Sequence, residues 1–286
     1  MKKVKAIVRP AAPHWVGNGF PVQTIFSYDR FAEELSPFLL LDYAKSTEFP
    51  GDGVKRGVGE HPHRGFETVT IVYEGELAHK DSSGEGGIIR AGDVQWMTAG
   101  AGILHEEFHS TRFSQQGGPL QMVQLWVNLP RQHKMMQPRY QAIEKADIPV
   151  VLLPDDVGTL RVIAGNYEGT AGSAETVSPL NVFDVQLKPG GQMRLDIPEG
   201  WNNAVIVLDG SVRVNGSAPL KPSTMALLER EGGEVVLHAE HQSQILILSG
   251  EPIDEPVVGH GPFVMNSAQE ISQAFADYSQ GRFASE

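Results

Sequence analysis

Short runs of apolar and β-branched residues, separated by turn residues, recur along the whole chain. Glycine (31) and proline (19) punctuate these runs, and closely spaced short strands of this kind are typical of β-sandwiches and β-barrels. The pattern predicts strands at 67–73, 94–98, 121–129, 150–153, 159–164, 181–187, 204–208, 211–214, 225–228, 234–238 and 244–248. The fold class is therefore predicted to be all-β.

Helical periodicity is clear only near the C-terminus, at residues 267–278. Ile271, Phe275 and Tyr278 fall on one helical face at positions i, i+4 and i+7. Ser267 and Glu270 have the spacing of a capping box, which satisfies backbone N–H groups at a helix start. We expect a short C-terminal helix after the strands.

The two halves of the chain resemble each other. Residues 70–76 (TIVYEGE) match 205–211 (VIVLDGS) at an offset of 135, and residues 92–97 match 222–227 at an offset of 130. A repeat of this length suggests a duplicated domain, although two β-hairpins of any all-β chain can look alike. We predict two β-barrels, at 1–140 and at 141–286, with the terminal helix in the second.

Composition narrows the function. The net charge of −12 and the pI near 5.3 argue against direct nucleic-acid binding. Cysteine is absent, which excludes disulfides, zinc–thiolate sites, iron–sulfur clusters and cysteine nucleophiles. No apolar run approaches the roughly 18 residues of a membrane helix, and no signal peptide is recognisable. These features predict a soluble, cytoplasmic protein with no membrane partner.

Two pairs of side chains have the spacing of metal ligands. His61 and His63 flank Pro62, and residues i and i+2 of an extended chain point to one face. His105 and Glu107 have the same spacing. Adjacent strands would join these pairs into three imidazoles and one carboxylate, a set that suits Fe, Mn, Co, Ni, Cu or Zn better than Mg or Ca. A single His-x-His pair on the surface would mean little; two such pairs predict a metal site.

These residues lie in segments that closely resemble the pirin family, whose members are bicupins with two cupin-type β-barrels. The resemblance runs through residues 61–70 and 92–107, and extends to 36–42 and 261–266. It implies the ligand set His61, His63, His105 and Glu107. It also implies one divalent transition metal per chain, expected to be Fe(II), in the N-terminal barrel.

The sequence leaves the roles of two residues near the His61–His63 pair open. Common cupins take a carboxylate ligand from a position like Glu67, four residues after His63, so Glu67 could compete as a ligand or support one. The pirin resemblance favours Glu107 instead. Arg64 could orient an anion or form a structural salt bridge.

The second barrel is predicted to bind no metal. At the repeat offsets, the four ligand positions fall on Asp196, Pro198, Val235 and Leu237. His238 and His241 lie nearby but lack the paired spacing.

The family resemblance implies a metal-dependent dioxygenase that cleaves a flavonol such as quercetin with dioxygen and releases carbon monoxide, with Glu107 as the catalytic base. An enzyme for another enol substrate, with quercetin cleavage as a side activity, remains open. The alternative from another class is a non-enzymatic, iron-dependent redox sensor that modulates a transcription factor or metabolic enzyme as a protein partner. An open apolar pocket at the metal would favour catalysis. Because the duplicated barrels can pair within one chain, we expect a monomer.

Overall fold

The computed structural model describes residues 1–82 and 84–283, which form two compact units. The first unit comprises residues 12–24, 39–145 and those from 254 onward, and the second comprises 1–11, 25–38 and 146–253. Each unit therefore takes a terminal segment from the opposite half of the sequence. The division into contiguous domains at 1–140 and 141–286 remains a prediction. The compact units differ from it because residues 1–11 belong to the second unit and residues from 254 onward belong to the first.

Strands dominate both units. In chain order they are β1 (Val4–Val8), β2 (His14–Val16), β3 (Phe20–Ser27), β4 (Phe38–Phe49), β5 (Gly57–His63), β6 (Phe66–Glu74), β7 (Glu76–Asp81), β8 (Gly86–Arg90), β9 (Val94–Thr98), β10 (Ile103–His109), β11 (Gly118–Asn128), β12 (Arg139–Ile143), β13 (Val150–Leu152), β14 (Gly158–Ala164), β15 (Asn166–Tyr167), β16 (Thr170–Ala171), β17 (Leu180–Leu187), β18 (Gln192–Asp196), β19 (Asn202–Asp209), β20 (Val212–Val214), β21 (Thr224–Leu228), β22 (Glu234–Ala239), β23 (Ser243–Gly250), β24 (Val258–His260) and β25 (Phe263–Met265).

The helices are few and short. They are α1 (Tyr28–Leu35), α2 (Thr111–Gln116), α3 (Ala268–Ser279) and 3₁₀ turns at Arg131–His133, Lys145–Asp147 and Pro154–Asp156. The sequence predicts α3, which begins after the cap residue Ser267: its hydroxyl accepts a hydrogen bond from the Glu270 amide at 3.2 Å. No helix in the described part of the chain combines the length and apolar character that crossing a membrane requires.

The first unit has two large antiparallel sheets around a common core, and β24 and β25 form a separate two-stranded sheet. The larger sheet has the strand order β12-β9-β6-β11-β4-β3-β2, and the smaller has the order β5-β10-β7-β8. Val22 and Met122 of the larger sheet lie in one buried cluster with Leu77 and Ile89 of the smaller sheet. Apolar residues at alternate positions therefore hold the sheets together from inside.

The second unit repeats this plan. Its larger sheet has the order β1-β21-β19-β23-β17-β14-β13, and its smaller sheet has the order β18-β22-β20. Buried residues of both sheets, among them Val205, Ile247, Leu195 and Leu237, form one core. Each unit is thus a cupin-like pair of sheets and not a closed, continuously hydrogen-bonded barrel, while the all-β fold with a C-terminal helix is confirmed.

The internal repeat corresponds to equivalent strands. The segments that match at an offset of 135 belong to β6 and β19, each central in its larger sheet. The segments that match at 130 belong to β9 and β21, which pair with β6 and β19 respectively. The same strand pair therefore occurs in both units, in support of a duplicated domain.

Candidate metal centre

Strands β5 and β10 place three histidines together. The two strands are antiparallel neighbours in the smaller sheet of the first unit, with His105 opposite His61 and Ile103 opposite His63. One ring nitrogen from each of His61, His63 and His105 lies within 4.8 Å of the others. Their ring centroids are 4.3–5.0 Å apart. Within the described residues, this is the one cluster of three or more potential metal-binding side chains.

Glu107 reaches the same site by a less regular path. The pairing of β10 with β5 is interrupted between His105 and Glu107, so Glu107 pairs with Val58. Its carboxylate is not part of the close histidine group, although it lines the same cavity as His61. Thr70 Oγ1 is 3.4 Å from Glu107 Oε1, and burial raises the pKa of this carboxyl above its usual range. A ligand role for Glu107 remains a prediction.

Two of the histidines are held neutral by their surroundings. Burial lowers the pKa of His63 to about 3, assisted by the neighbouring His61. Burial also puts the pKa of His105 well below its usual value, with His63 and His61 acting in the same direction. A neutral imidazole keeps a lone pair on one nitrogen, and that lone pair is what binds a metal ion.

His61 is oriented by the backbone. Its Nδ1 is 2.9 Å from the Gly59 carbonyl oxygen. A carbonyl can only accept, so this contact places the proton on Nδ1 and leaves the Nε2 lone pair for a metal.

Buried nitrogens without hydrogen-bond partners indicate what the histidines bind. His63 Nδ1 and both ring nitrogens of His105 are buried and lack a partner. An unsatisfied buried polar atom costs about 1–3 kcal/mol, so a cluster of them requires an explanation. A divalent transition ion provides one because neutral imidazoles are among its preferred ligands. The residues therefore fit the metal that the sequence predicts.

Two of the histidines, His61 and His63, face an apolar cavity of about 450 Å³. Phe20, Val22, Met122 and Trp126 are among its lining residues, together with His61, His63 and Glu107. Trp126 packs against Phe66 at a ring-centroid distance of 4.3 Å and lies edge-on to His63 at 5.6 Å. A volume in this range holds a small organic molecule of drug-like size.

Glu67 lies elsewhere. Gly65 has φ +88°, and a Cβ there would meet the Val264 carbonyl oxygen at 2.1 Å, so the chain turns sharply between β5 and β6. The even spacing from His63 therefore does not put Glu67 on the ligand face. Its carboxylate accepts a hydrogen bond from Thr98 Oγ1 at 2.6 Å, and burial raises the pKa of Glu67 to about 6. Glu67 neither joins the histidine cluster nor lines the cavity.

Arg64 forms a structural ion pair. Its Nη1 donates to Asp277 Oδ2 of α3 at 2.7 Å, and its Nε donates to the Ala101 carbonyl at 2.6 Å. The guanidinium also lies 4.3 Å from the centroid of the Phe283 ring. These contacts account for the buried position of the guanidinium, so a role in steering anions is not needed to explain why an arginine lies there.

The equivalent positions of the second unit have another use. Val235 and Leu237 of β22 are completely buried in its core. Asp196 and Pro198 are exposed. The ligand positions are therefore divided between apolar packing and solvent, and a second unit without metal remains a prediction.

Gln124 and Asp42 of the cavity wall, and Thr70 beside Gln124, were not singled out from the sequence. Thr70 donates to Gln124 Oε1 at 2.9 Å, across the β6–β11 pair in which the two residues are direct partners. Asp42 of β4 also lines the cavity. A usable signal was present: Thr70 follows Phe66 by four residues, on the same strand face, at a buried position where an apolar residue is usual.

Comparison with known proteins covers most of the chain. The family model described as "Pirin" matches residues 19–127, and "Pirin C-terminal cupin domain" matches residues 182–284.

Individual proteins agree with the family models. The chain is 57% identical to a Pseudomonas aeruginosa protein named "Putative quercetin 2,3-dioxygenase PA2418", over 99% of each chain. It is 38% identical to human pirin, over 87% of this chain and 83% of that one. The crystal structure of a quercetin 2,3-dioxygenase from Acinetobacter baumannii superposes with a TM-score of 0.97 at 54% identity, covering 100% of this chain and 99% of that one.

Proposed function

The chain belongs to the pirin family, and from this premise we propose that it is a metal-dependent dioxygenase. Its substrate is a flavonol such as quercetin, whose central ring is opened by dioxygen with release of carbon monoxide. The observation that carries the proposal is the apolar cavity with His61, His63 and Glu107 on its wall. The relatives named above support it, since two of them bear the name of this activity.

The proposed metal ligands are His61, His63 and His105, with Glu107 as the fourth. One divalent transition metal, for which we propose Fe(II), would supply Lewis-acid polarisation of the hydroxyl on the flavonol central ring. The smaller sheet fixes the three imidazoles before any ligand arrives, because β5 and β10 are hydrogen-bonded neighbours. Preorganisation of this kind lowers the cost of binding.

Glu107 is the proposed proton acceptor. Its carboxylate borders the cavity, where burial raises its pKa and makes it a stronger acceptor for the proton of the substrate hydroxyl. Removal of this proton makes the flavonol electron-rich and prepares it for attack by dioxygen.

The cavity walls complete the environment. Phe20, Val22 and Met122 give an apolar lining beside the histidines, and Trp126 adds an aromatic surface. A flat aromatic substrate buries its ring faces against such walls. The same walls exclude water, which would otherwise protonate a carbanionic enolate.

The redox-sensor alternative would use the same ligands. A sensor needs a surface that responds to the oxidation state of its iron, and it has no need of an apolar cavity beside the ligands. The cavity therefore favours catalysis over redox sensing, as expected for an open apolar pocket beside the metal ligands.

The test is the amount of carbon monoxide released per quercetin consumed, in air, by the Fe(II)-loaded full-length protein. We expect near-stoichiometric gas from the wild type and none from His105→Ala. His241→Ala is the matched control, because this histidine is exposed in the second unit and should leave the yield unchanged. Quercetin loss without carbon monoxide would indicate adventitious oxidation and would contradict the proposal.

A further inference from the structure

Two segments that carry the pirin resemblance but no proposed ligand also reach the cavity. Asp42 ends the segment 36–42, and Gly261 with Pro262 begins the segment 261–266. All three residues line the cavity that His61 and His63 border. Asp42 and Glu107 are the two carboxylates among the lining residues.

Asp42 belongs to a row of polar side chains on neighbouring strands of the larger sheet. Strands β6, β11, β4 and β3 are consecutive neighbours in the larger sheet of the first unit. They carry, in that order, Thr70, Gln124, Asp42 and Thr24. The hydroxyl of Thr70 donates to Gln124 at 2.9 Å, and the hydroxyl of Thr24 donates to Asp42 Oδ1 at 2.6 Å. The row therefore has one polar pair beside Glu107 and a second pair farther from it.

The separation of the two pairs suits a ligand of several rings. Asp42 lies two strands away from Thr70, and adjacent strands are about 4.8 Å apart, so the lateral separation is about 10 Å. Phe20, Val22 and Met122 supply apolar wall in the same cavity. A flat molecule with one polar end at the histidines and another near Asp42 would match this alternation.

Asp42 has acceptor capacity that its own contacts do not fill. A carboxylate accepts about four hydrogen bonds and donates none, and Thr24 is the side chain that the structure shows donating to Asp42. Burial raises the pKa of Asp42 above its usual value, so water only partly solvates this carboxylate. A ligand hydroxyl is the group that complements it, because a hydroxyl donates and carries no charge.

We propose that Asp42, positioned by Thr24, is a specificity-determining residue that accepts a hydrogen bond from a hydroxyl on the substrate ring remote from the histidines. The cavity consequently selects polyhydroxylated flavonols over flavonols without ring hydroxyls. This inference rests on the proposed function, since it assumes that the central-ring hydroxyl lies at the histidines.

Ligand preference tests the inference directly. Quercetin carries hydroxyls on its outer rings, and 3-hydroxyflavone has the same ring system without them. Binding of both compounds to the Fe(II)-loaded protein under anaerobic conditions can be followed by quenching of tryptophan fluorescence, because Trp126 lines the cavity. A hydrogen bond to a charged group corresponds to a preference of roughly 10- to 100-fold for quercetin in the wild type.

Substitutions in β4 distinguish a role of Asp42 in ligand recognition from a purely structural role. Asp42→Ala should reduce the preference to less than about threefold, by weakening quercetin binding while 3-hydroxyflavone binds as before. Asp42→Asn keeps the side-chain shape, and its preference for quercetin should lie between those of the wild type and Asp42→Ala. This variant tests the inference even if Asp42→Ala fails to fold. Glu48→Ala removes an exposed carboxylate of the same strand and should keep the wild-type preference.

The outcomes are distinct. A preference that survives in both Asp42 variants, or equal binding of the two compounds by the wild type, would overturn the inference. If the same wild-type protein still converts quercetin to carbon monoxide, the proposed function stands without it. If neither flavonol binds or is consumed, both the proposed function and the specificity assignment are wrong.

Discussion

Removal of the buried guanidinium of Arg64 should destabilise the first unit by about 3 kcal/mol. In Arg64→Met the half-buried Ala101 carbonyl loses its donor, at a cost near the lower end of the roughly 1–3 kcal/mol of a buried acceptor. The stack on Phe283 contributes about 0.5–2 kcal/mol. Asp277 contributes less, near 1 kcal/mol, because Arg282 still donates to it at 2.7 Å. The loss therefore lies at the lower end of the range for a broken buried ion pair.

Urea unfolding followed by tryptophan fluorescence is the appropriate assay. Three of the four tryptophans, Trp15, Trp96 and Trp126, belong to the first unit, so the signal reports mainly on the part of the chain that contains Arg64. Because the chain has two compact units, the transitions should be fitted separately where they resolve. The slope with urea should be unchanged and the midpoint lowered.

A matched variant makes the reasoning refutable. Arg282 also pairs with the Asp277 carboxylate, but its side chain is 49% exposed, whereas that of Arg64 is 5% exposed. Arg282→Met is therefore the matched variant. An exposed pair is worth about 0–1 kcal/mol. Equal losses in the two variants, or a loss below about 1 kcal/mol in Arg64→Met, would show that burial of the guanidinium does not set the energy.

Three further predictions concern the metal, the base and a buried lysine. His61→Ala should lower the metal content, measured by mass spectrometry, from one ion per chain to a small fraction, and retention of a full equivalent would exclude His61 as a ligand. Glu107→Gln should lose quercetin turnover more completely than metal; a fully active variant would remove Glu107 from both roles. Burial lowers the pKa of Lys134 from 10.5 to about 7, so the unfolded chain binds more protons between these values and stability rises with pH. The wild type should therefore gain stability relative to Lys134→Met between pH 7 and pH 9 in urea titrations, and a constant difference would contradict this sign.

The sequence predicts eleven of the twenty-five strands in the described part of the chain, and it indicates the convergence of the three histidines. Each predicted strand is present within a few residues, because alternating apolar positions and turn residues act locally. His61 and His63 share a face for the same local reason. Their pairing with His105 could be anticipated only from the repeated i, i+2 spacing, which indicates that two ligand-bearing strands are neighbours.

Other features depend on tertiary contacts that local pattern does not encode. The turn at Gly65 breaks the face parity between His63 and Glu67, so counting residues misplaces Glu67. Asp42 is an isolated polar residue in an apolar run, and its contact with Thr24 arises only when β3 and β4 pair in the sheet. Helix α1 has an internal break at Phe31, which weakens the helical period in the sequence.

The exchange of terminal segments between the units has a consequence for protein synthesis. Strand β1 lies in the sheet of the second unit, where Val4 pairs with Leu228 of β21. At a ribosomal rate of about 5–20 residues per second, β1 waits about 10–45 s for this partner to be made. The first unit needs residues from 254 onward, such as Phe263, which forms a β-bridge with Arg64, and these are translated later still. The two large sheets of the first unit lie within residues 14–143 and can form early, but its C-terminal segment and the partner of β1 come late. A prematurely terminated product would therefore leave β1 without its partner strand and expose it to chaperones and proteases.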